Sequence, residues 1–191
     1  DIRWKVFDWH FRDMAVEKAN YRLYFYDVSE KPGDPSPYWT AEYASPVIAL
    51  QIRELAEDFH YWPQERFSYL LFSSYREFQQ ANVFFIEEGV QGITSTQEPT
   101  MAIPYWGERE TFRHISHHEL THQFQVQKIN ELSGGDLRGQ AVLPLWFIEG
   151  MAEYYSLSGM DQESRFYIRD LIENPDPDRG LKLPGFFETG P

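Results

Sequence analysis

The chain has 191 residues, of which 42% are hydrophobic and 17% aromatic, a composition that predicts one globular domain and excludes a disordered or fibrous protein. Thirty acidic residues against 17 basic ones give a formal net charge of −13, which disfavours nucleic acid and anionic lipid surfaces as partners. No apolar run approaches the roughly 20 residues that span a bilayer. The absence of cysteine excludes thiolate metal sites and a cysteine nucleophile.

The N-terminal part of the chain predicts strands followed by a helix. Residues 3–11 and 21–28 are dense in aromatic side chains that favour strands. After a loop rich in proline and glycine, residues 45–59 carry apolar side chains at helical spacing. Ser45 is the predicted N-cap of this helix and Pro46 its first residue.

The central part predicts two more strands around a short helix. Residues 67–74 form a predicted buried strand, residues 75–81 a short helix, and residues 82–97 an irregular segment with two glycines. Residues 100–106 form the next predicted strand. Because Pro104 has no N–H for a strand ladder, this strand is predicted at the edge of the sheet, where it could hold an extended peptide by strand addition.

Helices are predicted for most of the remaining chain. One carries the segment HHELTH at residues 117–122, a second covers residues 145–156 and a third covers residues 161–174. The predicted fold class is therefore α+β, with a small N-terminal mixed sheet and a mostly helical C-terminal lobe.

The segment HHELTH contains the pattern H-E-x-x-H, formed by His118, Glu119 and His122. Residues four apart lie on one face of a helix, so both imidazoles can reach one metal ion while Glu119 points about 100° to the side. The histidine and glutamate content of the chain gives roughly 0.02 chance matches to this pattern. Core histidines with ordinary hydrogen-bond partners are the alternative interpretation.

A helical wheel places this motif on the apolar side of its helix. Two histidines and a carboxylate on a buried face need a partner for their charge, and a metal ion would supply one. His114 lies about 12 Å along the axis from His122, too far for a shared mononuclear site, so we interpret His114 and His117 as structural or surface residues. The motif shares its arc with four apolar residues, Phe112, Ile115, Val126 and Ile129.

A catalytic zinc site usually has three protein ligands and an open position. The longer pattern H-E-x-x-H-x-x-G-x-x-H is absent, because Gln125 and Lys128 stand where it has glycine and histidine. Outside the motif helix only His10 and His60 remain, and both belong to the predicted sheet half. A third histidine ligand is therefore not expected.

The best candidate for the third ligand lies in the helix predicted over residues 145–156. This helix is apolar almost all round, and its main polar stripe contains Glu149 and Glu153. The stripe could simply face solvent. Gly150 favours the metal interpretation if it allows close packing against the motif helix, and the spacing of the two glutamates would let one bind the metal while the other orients a ligand histidine.

HHELTHQF followed by LPLWFIEGMAEYY resembles zinc metallopeptidases of the gluzincin type, in particular the peptidase MA-like domains that combine H-E-L-x-H with a later W-x-x-E-G-x-A-E-Y. It is similar to domains that precede TolB-type β-propellers in bacterial envelope proteins. The thermolysin-like form of the second motif, N-E-x-x-x-D, is absent, because Ile148 and Glu153 stand at its Asn and Asp positions.

The resemblance implies roles for five residues. His118, His122 and Glu149 would be the ligands of one Zn²⁺ per chain, Glu119 the general base, and Glu153 a carboxylate that orients a ligand histidine from outside the coordination sphere. The implied reaction is hydrolysis of peptide bonds by a metal-activated water.

The resemblance also implies a zincin-like fold in a single domain over residues 1–191. Its upper lobe would cover about residues 1–128 and its lower lobe about residues 129–191, with the zinc between them. We expect a peptide or protein substrate, a location in the periplasm or cell envelope of a bacterium, and a longer protein with a C-terminal β-propeller that this chain does not include.

Two alternatives to a peptidase stay open at this point. The first is a non-catalytic peptidase-like scaffold or peptide-binding domain of the cell envelope, and the second is a zinc hydrolase that acts on another kind of bond. The group that would stabilise the oxyanion is also open, with Tyr154, Tyr155 and Tyr167 as candidates.

Overall fold

The structure is a computed structural model that describes residues 12–15, 21–25, 37–72, 74–81, 90–95, 98–105, 107–134, 143–159 and 162–174. The side chains of residues 12–15, 37–41, 163, 164 and 171 lie outside this description.

The described chain contains five strands and five helices, which confirms the α+β class. None of these helices is long and apolar enough to cross a membrane. The elements in chain order are β1 (Arg12–Ala15), β2 (Tyr21–Phe25), α1 (Pro37–Asp58), β3 (Phe67–Phe72), α2 (Tyr75–Ala81), β4 (Ile93–Thr94), β5 (Thr100–Pro104), α3 (Arg109–Leu132), α4 (Leu145–Ser156) and α5 (Gln162–Glu173).

The five strands form one mixed sheet in the order β1-β2-β3-β5-β4. β2, β3 and β5 run parallel to one another, while β1 and β4 are antiparallel to their single neighbours. The mixed sheet was expected from the sequence. Its order brings β4 to the end of the sheet, beside α3.

Both faces of the sheet are covered, which explains why every residue of β3 except Ser68 is buried. Leu23 and Tyr69 project from one face into the main core, which contains the buried sides of α1 and α3. Leu70 and Ala102 project from the other face and pack against Phe78 of α2. Successive side chains of β3 and β5 therefore point alternately into two separate cores.

The prediction that residues 100–106 form an edge strand is wrong. β5 lies between β3 and β4, and β4 is the strand at the end of the sheet. Tyr105 donates its N–H to Phe72 of β3, so by alternation the nitrogen of Pro104 faces the β4 side. Pairing with β4 ends at Ala102, opposite Ile93, so the missing N–H costs no ladder hydrogen bond.

The prediction that Ser45 caps the α1 helix is also wrong, because the helix begins at Pro37 and Pro46 lies inside it. The Tyr21 hydroxyl donates to the Ser45 carbonyl oxygen at 2.7 Å and lies 2.9 Å from the Ser45 hydroxyl. Ala44 is fully buried in the main core. The Ser-Pro pair is a local start signal, and tertiary packing of the preceding turns overrides it.

The remaining elements agree with the sequence except at two places. The helices predicted over residues 75–81, 145–156 and 161–174 and the strands predicted over residues 21–28 and 67–74 are confirmed, with small differences at their ends. The segment predicted as irregular contains β4, and β1 was not predicted. The strand predicted over residues 3–11 lies outside the described residues.

Candidate metal centre

Helix α3 is held in one rotation by polar side chains on both of its flanks. Gln51 of α1 donates to the Arg113 carbonyl oxygen at 2.8 Å and accepts from the Ser116 hydroxyl at 2.6 Å. On the sheet side, the Gln123 amide donates to the Ser95 carbonyl oxygen at 2.9 Å. With this rotation the H-E-x-x-H residues face a cleft between β4 and α4.

Three of the predicted site residues converge on one point. The Nε2 atoms of His118 and His122 lie 3.1 Å apart. Glu149 Oε2 lies 3.3 Å from the first of these nitrogens and 3.4 Å from the second. His118, His122 and Glu149 form a group that could hold a metal ion, and within the described residues no other such group of His, Asp and Glu occurs.

The size of this triangle fits a small four-coordinate cation. In a tetrahedral site with bonds of about 2.0–2.1 Å, neighbouring ligand atoms lie about 3.3–3.4 Å apart. The three observed edges of 3.1, 3.3 and 3.4 Å match that spacing. Two imidazole nitrogens and a carboxylate oxygen are also a donor set that divalent transition metals accept.

Each histidine has a polar partner on its other ring nitrogen. Glu153 Oε2 lies 3.3 Å from His118 Nδ1, and Gln125 Oε1 lies 3.0 Å from His122 Nδ1. An acceptor at Nδ1 favours the tautomer that carries its proton there and leaves the Nε2 lone pair free. Both free lone pairs then point at the Glu149 carboxylate, and such an assembly of acceptors needs a cation or a proton at its centre.

The charges of these groups are strongly coupled. Hydrogen bonds with His118 and His122 hold the pKa of the Glu149 carboxyl far below its usual range. Burial alone lowers the pKa of His122, but the hydrogen bond with Glu149 and the charge of Glu119 raise it overall. The carboxylate of Glu149 is therefore ionised at neutral pH and available to a cation.

Glu119 lies beside this group and not within it. Its side chain is buried, with 7% of the residue exposed, and this burial raises the pKa of the carboxyl above its usual value. The Thr94 hydroxyl donates to Glu119 Oε2 at 2.5 Å and also lies 3.1 Å from the Glu119 carbonyl oxygen. β4 therefore fixes one carboxylate oxygen of Glu119 from the edge of the sheet.

Gly92 lets the Glu119 carboxylate approach the backbone before β4. A Cβ atom at this position would lie 2.6 Å from Glu119 Oε1 and 2.7 Å from its Cγ. These distances are shorter than van der Waals contact, so any other residue would displace the carboxylate. Gly92 and Thr94 thus form one side of the Glu119 pocket.

The cleft around these residues is open to solvent and has a volume of about 660 Å³. Apart from His118, Glu119, His122 and Glu149, the walls of the cleft are mainly aliphatic. The edge strand contributes Ile93, α3 contributes Ile115, Val126 and Ile129, and α4 contributes Leu145 and Ile148.

Other residues from the sequence prediction lie outside the three-atom group. His114 Nε2 is 3.9 Å from Glu153, and burial lowers the pKa of His117 to about 4. Tyr154, Tyr155 and Tyr167 do not line the cleft. The predicted packing of Gly150 against the motif helix is wrong, because no atom of α3 or of another described element lies within 4 Å of a Cβ built there.

Sequence reasoning did not assign Gly92, Thr94 or Gln125 to the site. Gly92 and Thr94 lie in the segment predicted as irregular, which offered no spacing to connect them with α3. Gln125 could have been found, because it lies three residues after His122 and so on the neighbouring position of the same helix face.

Comparisons of this chain with protein-family models, with curated proteins and with solved structures give no match. The resemblance to gluzincin-type metallopeptidases therefore stays a prediction from the two helical motifs. The geometry described above carries the functional proposal.

Proposed function

We propose that this chain is a zinc-dependent metallopeptidase of the gluzincin type with a zincin-like fold. The observation that carries the proposal is the convergence of His118, His122 and Glu149 on one point, with the buried carboxyl of Glu119 beside it. A metal-binding group alone is compatible with storage or structure. The adjacent proton acceptor in an open cleft is what favours hydrolysis.

Zinc is the proposed metal because its structural preferences fit the donor set. It takes imidazole and carboxylate ligands in tetrahedral geometry and, in catalytic sites, leaves one position open. When bound, it would lower the pKa of a water molecule toward neutrality and polarise a carbonyl group. His118, His122 and Glu149 would hold it, and Glu153 and Gln125 would support the two histidines.

Glu119 is the proposed general base. Its raised pKa makes the carboxylate a better proton acceptor than an exposed glutamate. It would take a proton from the attacking water and deliver it to the leaving amine. Thr94 keeps one oxygen of the carboxylate occupied by a hydrogen bond, so the other oxygen is the one that exchanges the proton.

The substrate would lie as an extended peptide along the edge of the sheet. Among the described strands β4 is the terminal one, and it contributes Ile93 and Thr94 to the cleft. No described strand pairs with its outer edge, so a peptide backbone can pair there. The aliphatic wall formed by α3 and α4 favours an apolar substrate side chain next to the cleaved bond. This assigns to β4 the substrate-aligning role expected of β5.

The proposal is tested by exposing the zinc-loaded protein to a mixture of short peptides and identifying new termini by mass spectrometry. We expect cleavage that stops when a chelator removes the metal and returns when zinc is added. Zinc binding without cleavage of any peptide would contradict the peptidase function and favour a peptide-binding scaffold.

Substitution of Gly92 by alanine tests the placement of the proposed base. The added methyl group would displace the Glu119 carboxylate, and displacement by about 1 Å costs roughly 100-fold in rate. We therefore expect Gly92→Ala to lower the rate constant of peptide cleavage by roughly 10–100-fold, while zinc affinity stays near that of the unmodified protein.

Gly150→Ala is the matched control for this variant. Gly150 lies in α4 next to the proposed ligand Glu149, yet no neighbouring element in the described part of the chain comes within 4 Å of an added Cβ. The control should retain its activity and gain about 0.5–1 kcal/mol in free energy of unfolding, because alanine favours a helix over glycine. Equal activity in both variants would show that Gly92 does not position Glu119.

A further inference from the structure

Gln125 connects the two helices that carry the metal-binding group. It lies on α3 and is 5% exposed. Its Nε2 donates to the carbonyl oxygen of Ile148 on α4 at 2.9 Å, and its Oε1 lies 3.0 Å from His122 Nδ1. Ile148 immediately precedes Glu149, so one amide touches a histidine of the group and the backbone beside its carboxylate.

The chemistry of this amide determines the tautomer of His122. The Ile148 carbonyl oxygen can only accept a hydrogen bond, so the NH₂ of Gln125 must face it. The Gln125 oxygen then faces His122 Nδ1, and because that oxygen can only accept, Nδ1 must carry the proton. In the neutral ring the lone pair of His122 is therefore on Nε2, the nitrogen that faces Glu149.

The other histidine has no equivalent connection. His118 Nδ1 faces Glu153, whose side chain is half exposed and also lies 3.9 Å from His114 Nε2. Among the described residues the Glu153 carboxylate has no backbone partner comparable to the Ile148 carbonyl that binds Gln125. The Ile148 side chain is apolar and cannot bind His122, so α4 contributes only the Ile148 carbonyl oxygen here. The side chain that faces His122 Nδ1 is Gln125, which belongs to α3 itself.

We infer that Gln125 is a positioning residue that prepares the metal site before the metal binds. It would hold His122 in the tautomer that can donate its Nε2 lone pair, and it would hold the start of α4 so that Glu149 meets both histidines. This inference rests on the proposed function for the identity of the metal as zinc. It assigns Gln125 a role in metal affinity and no contact with substrate.

The test compares Gln125→Leu with the control Gln127→Leu by measuring the dissociation constant for Zn²⁺ in competition with a chelator. Gln127 lies on the same helix, is similarly buried at 8% exposure, and accepts a hydrogen bond from the Glu65 N–H at 3.3 Å, away from the cleft. Both variants lose a buried amide of α3, so a purely structural effect should be similar in the two.

We expect zinc binding to weaken about 10–100-fold in Gln125→Leu, the cost typical of losing a group that orients a metal ligand. Gln127→Leu should leave the zinc affinity near that of the unmodified protein, because the Gln127 amide faces Glu65, away from the cleft. The visible spectrum of the Co²⁺-loaded protein should change only in Gln125→Leu. Equal zinc affinity in the two variants would overturn the inference.

Gln125→Glu separates the two contacts and serves if the leucine variant does not fold. Its carboxylate can accept from His122 Nδ1 but cannot donate to Ile148, so its zinc affinity should lie between those of the unmodified protein and Gln125→Leu. Affinity equal to that of the unmodified protein would overturn the α4 contact. Absence of zinc binding by the unmodified protein would instead refute the proposed function.

Discussion

Glu119→Gln is expected to lower the rate constant of peptide cleavage by a factor of about 10²–10⁴, the range that general base catalysis contributes. The amide has nearly the same shape as the carboxylate and can still accept the Thr94 hydrogen bond, but it cannot take a proton from water. Zinc affinity should be nearly unchanged, because Glu119 is not one of the three residues that could hold the metal ion. Parallel assays of cleavage and zinc binding check both expectations.

The stability of this variant provides an internal control. Burial raises the pKa of Glu119, so the ionised carboxylate is less favourable in the folded chain than in the unfolded one, and its contribution to stability falls as the pH rises. The metal-free Glu119→Gln protein should therefore be at least as stable as the unmodified protein at neutral pH. Retained cleavage in a folded, zinc-loaded variant would exclude Glu119 as the base.

Glu149→Ala is expected to weaken zinc binding by more than about 100-fold, beyond the 10–100-fold that loss of an outer hydrogen-bond partner costs. The variant removes one of the three proposed ligand atoms and the only anionic one among them, so two neutral imidazoles remain to hold the cation. Cleavage should be lost at zinc concentrations that saturate the unmodified protein. Calorimetric titration with Zn²⁺ measures the change in affinity.

Glu153→Ala is the matched control, because its side chain is as exposed as that of Glu149, at 50%, and lies one turn further along the same helix. The Glu153 side chain contacts His118 only through Nδ1. Glu153→Ala should therefore lower the zinc affinity by the smaller factor of about 10–100. A larger loss in Glu153→Ala than in Glu149→Ala would reverse the proposed roles of the two carboxylates.

The orientation of α3 and the bounds of α4 could be predicted because their information is local, in contrast to the start of α1. Apolar spacing gives the ends of α4 to the residue, and the helical wheel of α3 predicts that His118, Glu119 and His122 face the same side as Ile115 and Val126, as they do along the cleft. The polar stripe of α4 and the spacing of Glu149 and Glu153 select Glu149 as the third ligand, although they do not exclude a solvent-facing stripe, and the Gly150 argument for it is wrong.

Sheet order and the surroundings of Glu119 could not be predicted because they depend on contacts distant in sequence. The position of β5 inside the sheet is set by its pairing with β3 and β4. Pro104 shows only that one backbone N–H is missing, and this does not determine which strands lie beside β5. β4 has two residues, too few for a periodic pattern. The contacts of Gly92 and Thr94 with Glu119 exist only once β4 lies beside α3.

Gly150 and Gln125 show the same limit within the helices. A glycine in a helix suggests close packing, but the residues around Gly150 do not encode the distance between α3 and α4. A Cβ built at Gly150 meets no α3 atom within 4 Å. The Gln125 amide resembles other glutamines of α3 in sequence. Its role becomes visible only when Ile148 and His122 are found on either side of it.

The most direct test of the metal centre is anomalous diffraction at the zinc absorption edge from crystals grown with one equivalent of Zn²⁺. The proposed site requires one strong peak bonded to the Nε2 atoms of His118 and His122 and to the Glu149 carboxylate, at about 2.0–2.1 Å from each. A peak elsewhere on the chain, or no peak at these three residues, would contradict it.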